Sequence, residues 1–286
     1  MSSSINAETR LYAVLGNPVH HSLSPLIHNE LFKKWGLNAV YMAFEVEPHS
    51  LGLAFEAIRS LGIRGVNLTI PFKEVALDFI DEIPEDIDRC VGALNTVVNR
   101  KGQLFGHNTD VPGFLFALKD ELHFNPEAKT VLVLGAGGAA RAVAFALAYA
   151  HAEKIYIHNR TLARAEGLQS YLTQHFPETE IEAVESLDVL SHERLDLIVN
   201  ASAVGLRNGD LAPVDLKRVG NSACVYDLIY SPRETQLLKD AKKMGFPSAN
   251  GLGMLAAQAA LSFELWTEKK EGVREAMLEV LKNAVS

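Results

Sequence analysis

Residues 130–150 read TVLVLGAGGAARAVAFALAYA: a short apolar run, a cluster of glycines, then an apolar stretch with helical spacing. A strand that passes through a glycine turn into a helix commits the chain to parallel pairing. The helix has to cover the sheet before the next strand can lie beside the first. The following segments keep that alternation. KIYIHNR reads as a strand, LARAEGLQSYLTQHF as a helix, EIEAV, LDLIVNAS and CVYDLIY as strands, and ETQLLKDAKKMG as a helix. With the helical GFLFALKDEL in front, this predicts an α/β domain with a doubly wound parallel sheet over residues 111–250.

The preceding hundred or so residues have a different rhythm. RLYAVLG is a strand ending in glycine, and SPLIHNELFKKWG is a helix with Pro25 at its start and Gly36 past its end. AVYMAFEV and IRGVNLTI read as strands around a helix, HSLGLAFEAIRSLG. PFKEVALDFI reads as a further helix, with Lys73 in its first turn. A cation is unfavourable there, because the positive end of the helix dipole lies at that point. GALNTVVNRKGQLFGHNTD predicts a hairpin turning at Arg100 to Gly102. After a hinge near residue 250, GLGMLAAQAALSFELWTEKK and EGVREAMLEVLKNAV read as helices. A length of 286 residues agrees with about two domains.

The formal charge of −8 disfavours nucleic acid, which needs a basic face. No apolar run approaches the ~20 residues that span a bilayer. MSSSINAETR lacks the basic and apolar parts of a signal peptide, so the expected location is the cytoplasm. Cys90 and Cys224 form no framework and are expected to be buried, reduced thiols. His20, His21, His28 and His107 have no metal-site spacing and are expected to be polar loop histidines.

Gly135-x-Gly137-x-x-Ala140 stands where a dinucleotide-binding turn stands, after a strand and at the opening of a helix. Gly135 permits the turn, Gly137 lets a pyrophosphate approach the backbone, and Ala140 packs helix on strand. Without a ligand the same motif would be only a tight turn. The end of the next strand sharpens the reading. An NAD site places an acid there to bond the ribose. This chain has Asn159, then Arg160, Thr161 and Arg164. Arginine binds a 2′-phosphate that a carboxylate would repel, so the expected cofactor is NADP(H).

Polar residues gather at the strand ends of the first domain: Ser22 and Ser24, Asn67, Thr69 and Lys73, Asn95, Thr109 and Asp110. One serine is expected to be the N-cap of the Pro25 helix. The rest suit a small polyhydroxylated acid better than an apolar ligand.

At these residues the sequence resembles the shikimate dehydrogenase family. GNPVHHSLSPLIHN, GVNLTIPFK, GALNTV, GHNTD, GAGGAA, NRTLARA, NASAVG, VYDLIY and NGLGMLAAQAA carry the resemblance, in order, from residue 16 to about 260. It implies NADPH-dependent reduction of 3-dehydroshikimate to shikimate by two α/β domains with the active site in the cleft between them. The substrate domain would comprise residues 1–110 with the C-terminal helices, 251–286, returning to it; residues 111–250 would form a Rossmann-like NADP-binding domain. By resemblance, Ser22 and Ser24 bind the substrate carboxylate, and Asn67, Thr69, Asn95 and Asp110 hold ring hydroxyls. Thr109 belongs to the same substrate motifs, and Tyr230 and Gln258 are further substrate contacts. Lys73 and Asp110 form the catalytic pair. Gly135, Ala136, Gly137, Gly138 and Ala139 with Asn159, Arg160, Thr161 and Arg164 match the NADP site. Ala201, Leu228 and Gly251 stand where family members approach the nicotinamide. The chain departs from the family where VPGF follows Asp110 and where Ala203 and Val204 stand in NASAVG.

The chemistry is the reduction of a ketone, in which oxygen gains negative charge. Lys73 as ammonium could stabilise that oxygen and donate the proton, with Asp110 holding the lysine or sharing the proton. Three other readings compete. A quinate dehydrogenase of the same family would share most motifs. A non-catalytic NADP-binding sensor would keep the glycine turn and lose Lys73 or Asp110. An interaction protein would leave the polar strand ends unexplained. The expected partners are small molecules, and the expected assembly is a monomer or homodimer.

Overall fold

The computed structural model describes residues 5–207, 209–219 and 224–284. Residues 1–4 of the N-terminal segment and the end of the last expected helix lie outside the described residues. In chain order the elements begin with β1 (Arg10–Gly16), α1 (Ser24–Lys34), β2 (Ala39–Glu45), α2 (Leu51–Ser60) and β3 (Gly65–Leu68). There follow α3 (Asp86–Val91), β4 (Thr96–Arg100), β5 (Gln103–His107), α4 (Asp110–Leu122), β6 (Thr130–Leu134) and α5 (Gly138–Tyr149). Next come β7 (Lys154–His158), α6 (Leu162–His175), β8 (Glu180–Val184), β9 (Leu197–Asn200), β10 (Cys224–Asp227) and α7 (Gln236–Lys243). The chain closes with β11 (Ser248–Asn250), α8 (Leu252–Thr267) and α9 (Val273–Ala284). It divides into two compact units, one of residues 1–109 with 256–284, the other of residues 110–255.

The first unit holds a sheet in the order β2-β1-β3-β4-β5. β1 pairs parallel with β2 and β3, and β3-β4-β5 run antiparallel through the expected hairpin. Phe55, Ile58, Val66, Leu68, Phe72 and Ala76 belong to the core on one side. On α8, Trp266 donates its indole N–H to the Val97 carbonyl at 3.0 Å. That contact requires Gly65: a Cβ there would lie 2.2 Å from the indole nitrogen. Gly65→Ala is therefore expected to destabilise the protein by about 1–3 kcal/mol, the usual cost of overpacking. A urea melt checks this, and an unchanged midpoint would refute it.

One expected helix is not formed. PFKEVALDFI is a turn followed by a short 3-10 segment, Val75–Phe79, and Lys73 precedes it. The reason is tertiary. The Lys73 carbonyl accepts from the Leu94 amide at 2.7 Å, while the Leu77 amide turns to the Glu74 carbonyl at 3.3 Å. With its carbonyl committed to Leu94, Lys73 does not open an α-helical ladder. The dipole conflict inferred from the sequence therefore does not arise.

The second unit holds the sheet β11-β10-β9-β6-β7-β8, whose strands pair in parallel. Numbered along the chain within this unit, the strands run 6-5-4-1-2-3, the order of the doubly wound dinucleotide-binding fold. Helices cover both faces of such a sheet, so its strands read as unbroken apolar runs. In β9 all of Leu197–Asn200 is buried, and in β6 only Thr130 is partly exposed. The strand order reverses between β6 and β9, and ligands of this fold bind at the carboxyl ends there.

Candidate functional site

In the second unit, the reversal point is lined by the glycine turn and the loop after β9. Gly135 has φ 118°, and a Cβ on it would come within 2.9 Å of the Ala201 carbonyl oxygen. Glycine is needed on both counts. Gly137 is different. Its backbone is extended (φ −96°, ψ −174°), and a Cβ would meet nothing within 4 Å. There is open space in front of α5. No side chain caps that helix at Gly137, and an uncapped N-terminus attracts anions. Ala136, Gly138 and Ala139 complete the turn, and Ala140 is fully buried against the sheet. This geometry fits a pyrophosphate.

Past the end of β7, the Asn159 amide donates to the Thr161 carbonyl at 2.9 Å. Thr161 is the N-cap of α6, yet its hydroxyl makes no cap bond. Arg160, Thr161 and Arg164 are exposed. Two guanidinium-bearing residues at this strand end suit a phosphate on the ribose. After β10, Leu228 and Gly251 touch through their backbones: a Cβ on Gly251 would lie 2.0 Å from the Leu228 oxygen. Tyr230 is half-buried nearby in sequence, and burial raises its phenol above its ordinary pKa. Asp110 opens α4 and is buried, an acid at the helix end that favours one.

In the first unit, Asn67, Asn95, Thr109 and Gln258 meet in one buried hydrogen-bond network. The Asn67 Nδ2 lies 3.0 Å from the Asn95 carbonyl, 3.1 Å from Thr96 Oγ1 and 3.0 Å from Ser262 Oγ. The carbonyl can only accept, which fixes the orientation of the amide. Oδ1 therefore accepts from the Tyr41 hydroxyl at 2.7 Å. Asn95 is fixed in the same way. Its Oδ1 accepts from the Thr109 amide at 2.7 Å, and its Nδ2 lies 2.9 Å from Thr109 Oγ1 and 3.2 Å from Gln258 Oε1. Thr96 and Ser262 hydroxyls are 2.7 Å apart at the centre. Burial raises the Tyr41 phenol well above its ordinary range, and the Ser24 side chain nearby acts in the opposite direction.

Neither serine is an N-cap. Leu23 takes that position, and Ser22 Oγ instead accepts from the Ser24 amide at 3.2 Å. Thr69 is half-buried with its methyl over Gly16, where a Cβ would approach to 2.4 Å. Lys73 is half-buried in its turn.

Tyr41, Thr96 and Ser262 were not singled out from the sequence. Thr96 adjoins Asn95, and Ser262 stands four residues after Gln258 on α8, so both could have been found as same-face neighbours. Tyr41 carried no such signal, since an inward tyrosine on a strand reads as core.

The histidines separate. His20 pairs with Glu45, and His107, on β5, lies 3.3 Å from Asp88. His28 is no loop residue. It is fully buried on α1, stacked on Tyr41 at 4.4 Å between ring centroids, with Trp266 at 5.3 Å and Phe263 at 6.1 Å. Its helix face is the one that packs inward. Neither Cys90 nor Cys224 is in a disulfide, and both are half-buried, not fully buried. No helix among the described residues is long and apolar enough to cross a membrane.

Comparison with known proteins gives one consistent result. Three family profiles match successive parts of the chain: a shikimate dehydrogenase substrate binding domain over residues 14–97, a shikimate / quinate 5-dehydrogenase over 118–230, and a shikimate 5′-dehydrogenase C-terminal domain over 251–282. The NADP⁺ shikimate dehydrogenase of Methanopyrus kandleri is 44% identical over 99% of each chain. A crystal structure of a shikimate dehydrogenase in complex with NADP⁺ superposes with a TM-score of 0.90 at 38% identity, covering 100% of this chain and 99% of that one. The Thermus thermophilus enzyme in complex with NADP(H) and shikimate gives a TM-score of 0.85 at 39% identity, over 96% of this chain and 99% of that one. The similarity runs along nearly the whole chain, which belongs to the shikimate dehydrogenase family.

Proposed function

We propose that this protein catalyses the reversible NADPH-dependent reduction of 3-dehydroshikimate to shikimate, a step towards aromatic amino acids. The observation that carries the reading is the fixed amide-and-hydroxyl network of Asn67, Asn95 and Thr109 in a chain that also has the NADP-type turn. Such a network suits ring hydroxyls, each of which both donates and accepts. Ser22 and Ser24 take the carboxylate, and Asn67, Thr69, Asn95, Thr109, Asp110, Tyr230 and Gln258 hold the ring. Bound NADPH supplies the hydride. Lys73, as ammonium, stabilises the developing oxyanion and delivers the proton that completes the alcohol. Asp110 is the second member of the catalytic pair.

The cofactor lies on Gly135 to Ala139, with Ala201, Leu228 and Gly251 at its nicotinamide end and Asn159, Arg160, Thr161 and Arg164 at its 2′-phosphate. Arg160→Ala is expected to raise KM for NADP⁺ roughly ten- to hundredfold, the worth of a charged hydrogen bond, and to leave KM for NAD⁺ unchanged. Equal losses with both cofactors would remove Arg160 from the phosphate site. The partners are small molecules, with no nucleic acid or membrane. The protein works in the cytoplasm as a monomer or homodimer. A second reading, broader use of quinate, is favoured by the shikimate / quinate profile over residues 118–230. A sensor without turnover is disfavoured because Lys73 and Asp110 are both present. The proposal is tested by mixing the purified protein with 3-dehydroshikimate and NADPH. Shikimate should form one-for-one with NADPH consumed; absence of turnover refutes the reading.

A further inference from the structure

Asn200 ends β9 and Asp227 ends β10, and the two are paired in register. Both are fully buried. The Asn200 amide donates to Asp227 Oδ1 at 2.9 Å and to the Val204 carbonyl at 3.0 Å. Its own oxygen accepts from the Ser202 amide at 3.1 Å and the Ser202 hydroxyl at 2.7 Å. The Val204 carbonyl can only accept and the Ser202 amide can only donate, so this orientation is fixed. Asp227 Oδ1 also accepts from the Ile229 amide at 3.1 Å. Asp227 Oδ2 accepts from the Thr235 hydroxyl at 2.6 Å, and Thr235 caps α7 by accepting from the Leu238 amide.

One carboxylate therefore ties together two loops and a helix start. The first loop begins with Ala201, whose carbonyl abuts Gly135. The second begins with Leu228, whose carbonyl abuts Gly251. The Leu228 amide also donates to the Asn200 carbonyl at 2.9 Å, so backbone and side chains tie the two loop starts at the same point. A buried network whose every donor is assigned has one arrangement, and it transmits that arrangement to the backbone it bonds.

We propose that Asp227, with Asn200 and Thr235, is a positioning set that fixes the Ala201 and Leu228 loops against the nicotinamide end of the cofactor and thereby aligns hydride transfer. This rests on the reading that Ala201 and Leu228 approach the nicotinamide. None of the three residues is asked to touch the reacting atoms. Hydride transfer demands close alignment, and small misplacement of a reactant costs far more in rate than in binding.

The test uses the full chain with Thr235→Val, Thr235→Ser and Asn200→Ala. Two quantities are measured for each: kcat for shikimate oxidation with NADP⁺, and Kd for 2′,5′-ADP, which carries the 2′-phosphate and lacks the nicotinamide. Thr235→Val leaves Oδ2 buried without its partner, and Asn200→Ala frees the first loop while keeping the α7 cap. Both are expected to lower kcat by roughly ten- to hundredfold while Kd for 2′,5′-ADP stays within about twofold. Thr235→Ser keeps the hydroxyl and is expected to stay near wild type. Equal weakening of kcat and 2′,5′-ADP binding would mean a general loss of fold and would overturn the proposal, as would wild-type kcat in both disruptive variants. Failure of the underlying reading looks different: the wild-type protein itself would fail to bind 2′,5′-ADP or to turn over, and both claims would fall.

Discussion

Lys73→Ala is expected to lower kcat by about two to four orders of magnitude, the usual worth of a positioned general acid, with little change in KM. The fold gives a reason to expect a clean result. Backbone hydrogen bonds hold the turn that carries Lys73. The Asn17 amide donates to the Ile70 carbonyl at 2.9 Å, the Phe72 amide to the Thr69 carbonyl at 2.8 Å, and the Leu94 amide to the Lys73 carbonyl. Phe72 is buried beside this point. Alanine keeps all of these backbone bonds, so far-UV circular dichroism should still show a folded protein while turnover collapses. Turnover near wild type would remove Lys73 from the mechanism.

The second large effect concerns stability, not rate. Burial lowers the His28 imidazole from its ordinary range to about 3. Its neighbours are the rings of Tyr41, Phe32, Phe263 and Trp266, which offer an imidazolium little to replace its water. The unfolded chain takes up a proton near pH 6.5, and the folded one does not until pH is near 3. The neutral ring's contribution is thus complete above about pH 6.5. It is lost at about 1.4 kcal/mol per pH unit as pH falls through that window. His28→Phe should remove this component. Between pH 6.5 and 5 the wild type is expected to lose about 2 kcal/mol more than the variant. The comparison reads slopes of unfolding free energy against pH, so any packing cost of the larger ring cancels. Parallel slopes would show that His28 is not the acid-sensitive group.

The parts of the fold that sequence made legible are those where one physical cause dominates. The strands of the second unit are buried on both faces, so TVLVL and KIYIH stand out as apolar runs, and the glycine turn marks where the first of them must stop. The parts that were not legible depend on distant partners. Lys73 reads as helical because nothing local shows that Leu94 takes its carbonyl. β11 is three residues, SAN, with no apolar pattern, and exists because β10 offers it an edge. Ser262 looks like an unremarkable residue on an apolar helix until the fold brings it beside Asn67 and Thr96. Asn200 and Asp227 read as polar strand ends, and only their registered pairing makes them a single network. His28 carries a helix-face position that was legible in principle, since Ile27, Leu31 and Phe32 share the buried side of α1.

The most direct measurement of the central claim is a set of initial rates with shikimate and quinate, each with NADP⁺ and with NAD⁺. Asn159 in place of an acid, followed by Arg160 and Arg164, predicts that kcat/KM is highest for the shikimate and NADP⁺ pair. Activity only with quinate, or only with NAD⁺, would contradict the account.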